Sequence, residues 1–304
     1  MASSWDNLTS KYKQGTIVTR LIFINTGIFL VLKLTLVLFS LFKIDASGIL
    51  SYLEMPSFLP KLLSAPWTVL TYMFVHVDLM HILFNMLWLF FFGGMFLRWF
   101  SPRQLGGLYV IGGLFGAVFY VLSYNLLPAF IGVDASLIGA SASILALGIA
   151  VAFYRPDEPV SLFLLGTIKL KWLAIVMVVM DLLSLNGNNA GGSIAHLGGA
   201  VAGLVFGLTL RQNIDITRWI NPLLDGLNNL FRPRPKMKVT YQRSKFEKAN
   251  TATDVDQEFR DKKKAEMDRL DSILDKIKKS GYDSLTAQEK QQLFESSKNG
   301  RNKN

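Results

Sequence analysis

The chain has 304 residues, 51% of them hydrophobic, 12% aromatic and only 18% charged, with three histidines and no cysteine. A soluble domain carries about a quarter charged residues, so this balance points to a membrane protein, and the counts leave no room for a disulfide framework, a thiolate metal site or a His-rich metal cluster. The net charge of +10 gathers at one end, since 21 Lys/Arg face 14 Asp/Glu from Arg211 onward, +7 of the total.

Residues 1–17 form a short leading segment with Lys11 and Lys13. Six apolar stretches follow, at 18–42, 79–97, 105–127, 138–153, 170–185 and 194–210. A helix needs about 20 apolar residues to cross a ~30 Å hydrocarbon layer. The fourth and fifth stretches are short for a lone span, which predicts helices that begin below the membrane surface, sheltered by protein. Orientation follows from the basic residues. Arg20, Arg98, Arg103, Arg155, Lys169 and Lys171 fall at alternate ends. The 43–78 loop sets Lys43 and Lys61 against Asp45, Glu54 and Asp78, 128–137 carries only Asp134, and 186–193 has no charge. The expectation is an all-α polytopic membrane protein with six transmembrane helices spanning 18–210 and both termini cytoplasmic. The first stretch is too long for a cleavable signal peptide and lacks a small-residue cleavage site.

Within these stretches lie the polar residues that could carry chemistry. His81 and Asn85 stand at i and i+4, on one face of the second helix. Two neutral donors aimed into a cavity suit an oxyanion hole, and they suit an interhelical hydrogen-bond pair equally. Ser141 lies in the small-residue run Gly139-Ala-Ser-Ala-Ser that opens the fourth helix. A Ser there has free N–H groups beside it, as a nucleophile needs, although an N-cap Ser looks the same locally. Ser136 and Ser143 are rivals by the same logic. His196 opens the sixth stretch, followed by Gly199, Gly203 and Gly207 at four-residue steps. That small-residue stripe lets another helix approach its bare backbone, and Ala146, Gly148 and Ala150 offer a matching surface on the fourth helix. If the two meet, a neutral His196 can take the Ser141 proton. No carboxylate has an evident third role, Asp181 of the fifth stretch being the one candidate, so the pattern reads as a Ser141–His196 dyad.

After Arg211 the composition changes. Residues 211–253 read as a basic linker with Arg232, Pro233, Arg234, Pro235 and Lys236. Residues 254–304 read as a cytosolic helical hairpin: Met267, Leu270, Leu274 and Ile277 recur at helical spacing up to Gly281, and Thr286 with Glu289 can form a capping box before Leu293 and Phe294.

Taken together, the blocks His76-Val-Asp-Leu-Met-His81-Ile-Leu-Phe-Asn85, Gly139-Ala-Ser141 and Ala195-His196-Leu-Gly-Gly199 with Gly203 resemble the rhomboid intramembrane serine proteases over about residues 18–210. The resemblance implies a six-helix rhomboid-like bundle, with Ser141 as nucleophile and His196 as base. It implies His81 and Asn85 as oxyanion donors, and His76 as the family's further histidine at the mouth of the site. The expected activity is endopeptidase cleavage of single-pass transmembrane proteins, without cofactor or metal. The expected partners are those substrates and membrane lipids, not nucleic acid. The expected location is a bacterial inner membrane. Four positions depart from the family pattern: Ala142 stands for its Gly, Leu145 for a Tyr that packs on the catalytic His, Trp67-Thr68 for a Trp-Arg pair, and the region of Leu97 lacks a Glu. The alternatives are an inactive rhomboid-like protein that binds transmembrane clients, which would ordinarily have lost the Ser or the His, and a transporter, which would show inverted repeats or more intramembrane charge.

Overall fold

The computed structural model describes residues 10–162, 166–187, 189–223, 225–226 and 252–301. The chain divides into two compact units, Met1–Pro233 and Arg234–Asn304.

The first unit is built on six apolar helices: α1 (Ile17–Leu41), α2 (Leu79–Trp99), α3 (Pro102–Leu126), α4 (Ser141–Tyr154), α5 (Leu170–Leu183) and α6 (Ala190–Arg211). Four of them, α1, α2, α3 and α6, are long and apolar enough to cross a membrane. The other two have 14 residues each. At 1.5 Å per residue they reach ~21 Å, short of a ~30 Å hydrocarbon layer. Local signals set most of the starts. Thr16 accepts from the Thr19 amide ahead of α1, and Asp78 accepts from the His81 amide ahead of α2. Ser101 and Gln104 form a reciprocal capping box around Pro102, which starts α3 three residues earlier than its apolar run suggests. Helix α6 likewise begins at Ala190 rather than 194. Its glycines look like loop residues, but Gly191 serves packing: a Cβ there would lie 2.8 Å from the Tyr120 ring.

Helix α4 is the hub. Ala142 to Gly148, Ala150, Val151 and Ala152 are all buried, against α2, α3 and α6. Between helices in lipid the attraction is van der Waals contact and hydrogen bonding rather than expulsion of water, so small residues matter most. The glycine stripe of α6 does meet α4, at Ala146 as expected, but the rest of the row differs from the expected one. A Cβ on Gly199 would fall 2.1 Å from the Ala142 carbonyl oxygen, and one on Gly203 would fall 2.3 Å from that of Ala146. Gly207 faces Phe153. The matching row is thus Ala142, Ala146, Ile149 and Phe153, whereas Gly148 abuts the Phe92 ring of α2.

The connection between α1 and α2 is built up of short helices at Ser47–Ser51, Leu59–Ser64 and Thr68–Thr71, and it pins the segment leading into α4. Strand β1 (Met55–Pro56) pairs antiparallel with β2 (Ser136–Leu137), Met55 opposite Leu137. Ser57 adds bonds to Val133 and Ala135. Gly139 donates to the Tyr72 carbonyl at 2.9 Å, and the Tyr72 hydroxyl in turn donates to the Gly113 carbonyl of α3 at 2.7 Å. Trp67 stacks on Tyr52 and donates from Nε1 to its carbonyl at 2.8 Å, while Thr68 is buried and bonded to Ala65. These contacts anchor the loop where an Arg is missing after Trp67.

At the opposite end, a hairpin of β3 (Pro159–Leu162) and β4 (Gly166–Lys169) joins α4 to α5. The Arg155 guanidinium lies 3.9 Å from the centre of the Trp99 ring, and Arg98 pairs with Glu158. Beyond Arg211 the chain does not yet leave the bundle as a linker. Asp215 accepts from Thr217 and from Gln104 of α3, Thr217 fills the space over Gly107, and Ile220 is buried. The Pro- and Arg-rich residues 232–236 lie outside the described residues.

The second unit holds α7 (Ala252–Ser280) and α8 (Ala287–Arg301). Gly281, at φ +75°, ends α7 in a conformation that favours glycine. Thr286 and Glu289 make the capping box of α8, and Glu289 also pairs with Lys276 at 2.9 Å. Among the described residues of this unit Ile273 and Leu285 are buried, whereas Met267 and Leu274, two of the expected apolar stripe, stay exposed.

Candidate active site

A cavity of about 720 Å³ opens between α2 and α5, with Ser141, His196, His81 and Asn85 on its wall. Ser141 is the first residue of α4, and the N-cap is Ala140, which makes no side-chain capping bond. The Ser141 hydroxyl is therefore not spent on the helix end, which removes the N-cap reading. It lies 2.6 Å from His196 Nε2. His196 sits in the second turn of α6 rather than at its opening, carried there by the close approach of Gly199 to Ala142. Of the rival serines, Ser143 is wholly buried with its hydroxyl unpartnered, and Ser136 lies exposed on β2.

The structure differs from the sequence reading on the third residue. Asp181, near the C-terminal end of α5, places Oδ1 2.7 Å from His196 Nδ1. The arrangement is an Asp–His–Ser chain rather than an isolated pair. The sequence held one signal for this, a single carboxylate in a helix otherwise apolar after its first turn.

Asn85 and His81 lie on the same face of α2, as their spacing predicts. The Asn85 amide nitrogen donates one hydrogen to the His81 carbonyl at 2.9 Å, which leaves its second hydrogen for another acceptor. The His81 ring lies directly over Gly139: a Cβ there would sit 2.8 Å from its Nε2. Gly139 has φ +110°, so both its backbone and its neighbour demand glycine. His76 is buried behind this pair, its ring 5.1 Å from that of His81. Burial, with a contribution from His81, lowers its pKa to about 4, so His76 is neutral at physiological pH and its Nε2 accepts from the Ala140 amide at 3.4 Å. It braces the turn before Ser141 rather than facing the cavity.

Two of the departures from the family pattern, Ala142 and Leu145, lie at the site. Ala142 fits because Gly116 of α3 lies opposite its methyl group. Leu145 lines the cavity and offers no hydrogen bond to the imidazole. Among the described residues, no group of three His, Asp or Glu side chains could hold a metal ion.

Residues 64–213 match the model of the Rhomboid domain, and residues 253–299 match a family of unknown function (DUF6576). The mitochondrial RHOMBOID-like protein 12 of Arabidopsis thaliana is 30% identical over 156 residues, 48% of this chain and 46% of that protein. The rhomboid protease GlpG of Haemophilus influenzae is 29% identical over 153 residues, 49% of this chain and 74% of that protein. The match thus spans less than half the length of the Arabidopsis relative.

Proposed function

Because residues 64–213 place the chain in the rhomboid family, we propose that it is an intramembrane serine endopeptidase that hydrolyses peptide bonds of transmembrane proteins. The observation that carries the reading is the 2.6 Å contact between Ser141 Oγ and His196 Nε2 inside a cavity flanked by apolar helices. As Oγ bonds to the scissile carbonyl carbon, its proton passes to Nε2. The oxyanion so formed meets the Ser141 amide, free at the first turn of α4, together with Asn85 and His81. The imidazolium then gives its proton to the leaving amine as the C–N bond breaks. A water molecule repeats the two transfers to release the acyl group.

In this reading all six helices cross the membrane, α4 and α5 being sheltered by their neighbours. With ~21 Å of helix in a ~30 Å layer, α4 starts several ångströms beneath the surface, which is where Ser141 meets its substrate. The basic residues at the α2–α3 and α4–α5 turns favour a cytoplasmic position for that end, and with it cytoplasmic termini in a bacterial inner membrane. The Arabidopsis thaliana relative is, by its name, a mitochondrial protein. The exposed apolar residues of α2 (Met80, Phe84) and α5 (Val176, Met180) line the cavity and suit a substrate helix arriving from lipid.

The test is cleavage of a model single-pass substrate in liposomes, with fluorophosphonate labelling in parallel. Wild type is expected to cleave and to label, and Ser141→Ala to do neither while remaining folded. A Ser141→Ala protein that still cleaves would overturn the assignment. A wild type that neither labels nor cleaves would favour a client-binding protein.

A further inference from the structure

We propose that Asp181 is a positioning residue for His196, so that this chain works with a three-residue relay rather than a pair. The inference rests on the assignment of Ser141 and His196 as nucleophile and base. It starts from the two ends of one imidazole. Nδ1 lies 2.7 Å from Asp181 Oδ1, and Nε2 lies 2.6 Å from Ser141 Oγ. A carboxylate can only accept, so Nδ1 carries the hydrogen and Nε2 presents its lone pair to the serine hydroxyl. That is the one tautomer able to take the serine proton.

The fold gives Asp181 no other reason to be there. An anion near the C-terminal end of a helix meets the negative end of the helix dipole. A carboxylate among apolar residues at membrane depth is costly unless it is paired. Its hydrogen-bond partner among the described residues is His196. Nor does packing explain it, since the buried residues of α5 are Leu170, Leu173 and Ala174, all in its first half. The other titratable groups near the imidazole are His81 of α2 and Asp78 at the cavity wall, and no Lys or Arg lines that wall. Leu145 beside the cavity cannot orient a polar ring. Asp181 therefore does for His196 what no apolar neighbour can: it fixes the rotamer and the tautomer, and it faces the imidazolium with a negative charge while the proton is held on Nε2. The proton moves from Oγ to Nε2 and on to the leaving amine.

The test uses full-length Asp181→Asn in liposomes with the same model substrate, beside wild type, Asp181→Ala and Ser141→Ala. Asn keeps the shape and removes the charge. Loss of this group from a Ser-His-Asp triad costs on the order of 10²–10⁴ in kcat. That loss is expected here, with KM within about threefold and thermal unfolding little changed. A kcat within about threefold of wild type, with Ser141→Ala inactive, would overturn the role of Asp181 and leave the nucleophile assignment standing. Cleavage by Ser141→Ala would strike the assignment itself. If Asp181→Asn is poorly folded, the rate of fluorophosphonate labelling per folded molecule of Asp181→Ala decides: slow labelling supports the proposal, and wild-type labelling overturns it.

Discussion

Gly139→Ala is the sharpest probe of how the site is held. Two separate penalties meet at this position. The backbone φ of +110° is one that an L side chain rarely adopts, and such strain costs of order 1–3 kcal/mol. The new methyl group would also lie 2.8 Å from Nε2 and Cε1 of His81, so the ring or the turn must move by about half an ångström to reach ordinary contact. A shift of about 1 Å in a catalytic group costs on the order of 10² in rate, so a fall in kcat of about 10- to 100-fold is expected. The two penalties can be separated. Stability is measured by SDS titration in mixed micelles for wild type, Gly139→Ala, His81→Ala and the double variant. His81→Ala removes the ring and leaves the backbone strain, so the cost of Gly139→Ala should shrink in that background by a coupling of about 0.5–3 kcal/mol, as for residues in direct contact. A Gly139→Ala protein with wild-type kcat, or a cycle that is additive within error, would refute the reasoning.

Two further outcomes follow from the same geometry. Asn85→Ala should lower kcat on the order of 10²-fold or less while His81 and the Ser141 amide remain, the scale of losing one oxyanion donor; a severe loss of thermal stability with unchanged specific activity would instead show a structural bond to the His81 carbonyl. The second concerns pH. Burial and His81 hold the His76 pKa at about 4 against 6.5 in the unfolded chain, so the unfolded state binds the extra proton between those values. The contribution of His76 is fully present above pH 6.5 and is lost as the pH falls toward 4, on the order of 3 kcal/mol in all. The pH slope of unfolding free energy over that window should be shallower in His76→Gln than in wild type, and equal slopes would count against it.

Much of this arrangement is written in residue spacing. His81 and Asn85 share a face because they are four apart on a helix, and the four-residue glycine steps after His196 announce a helix that another must touch. Spacing does not say which face of α4 replies, because Ala142, Ala146, Gly148 and Ala150 are all small. Only the fold shows that Phe92 of α2 has already taken Gly148. The partnership of Asp181 with His196 is hidden for a similar reason. Fifteen residues and a turn separate them, and nothing local brings the last turn of α5 opposite the second turn of α6. The start of α6 and the packing of Thr217 and Ile220 were illegible because Asn-, Gly- and charge-rich segments read as loop or linker until a specific neighbour is in view. Loop 43–78 offers no period at all, yet its hydrogen bonds to Ala135 and Gly139 set the approach to Ser141.

The contacts of the α6 glycines also shape how this protein can change over evolutionary time. Gly199 and Gly203 press against peptide carbonyls of α4, and a carbonyl is present whatever residue occupies the position. A larger residue at either glycine cannot be accommodated by shrinking the side chain across from it, so no single exchange in α4 should act as a suppressor. Gly207 is different, because its neighbour is the Phe153 ring, which can be traded for something smaller. Along one helix, then, the two glycines nearer His196 have no compensating partner, while the one a further turn along can drift together with its neighbour.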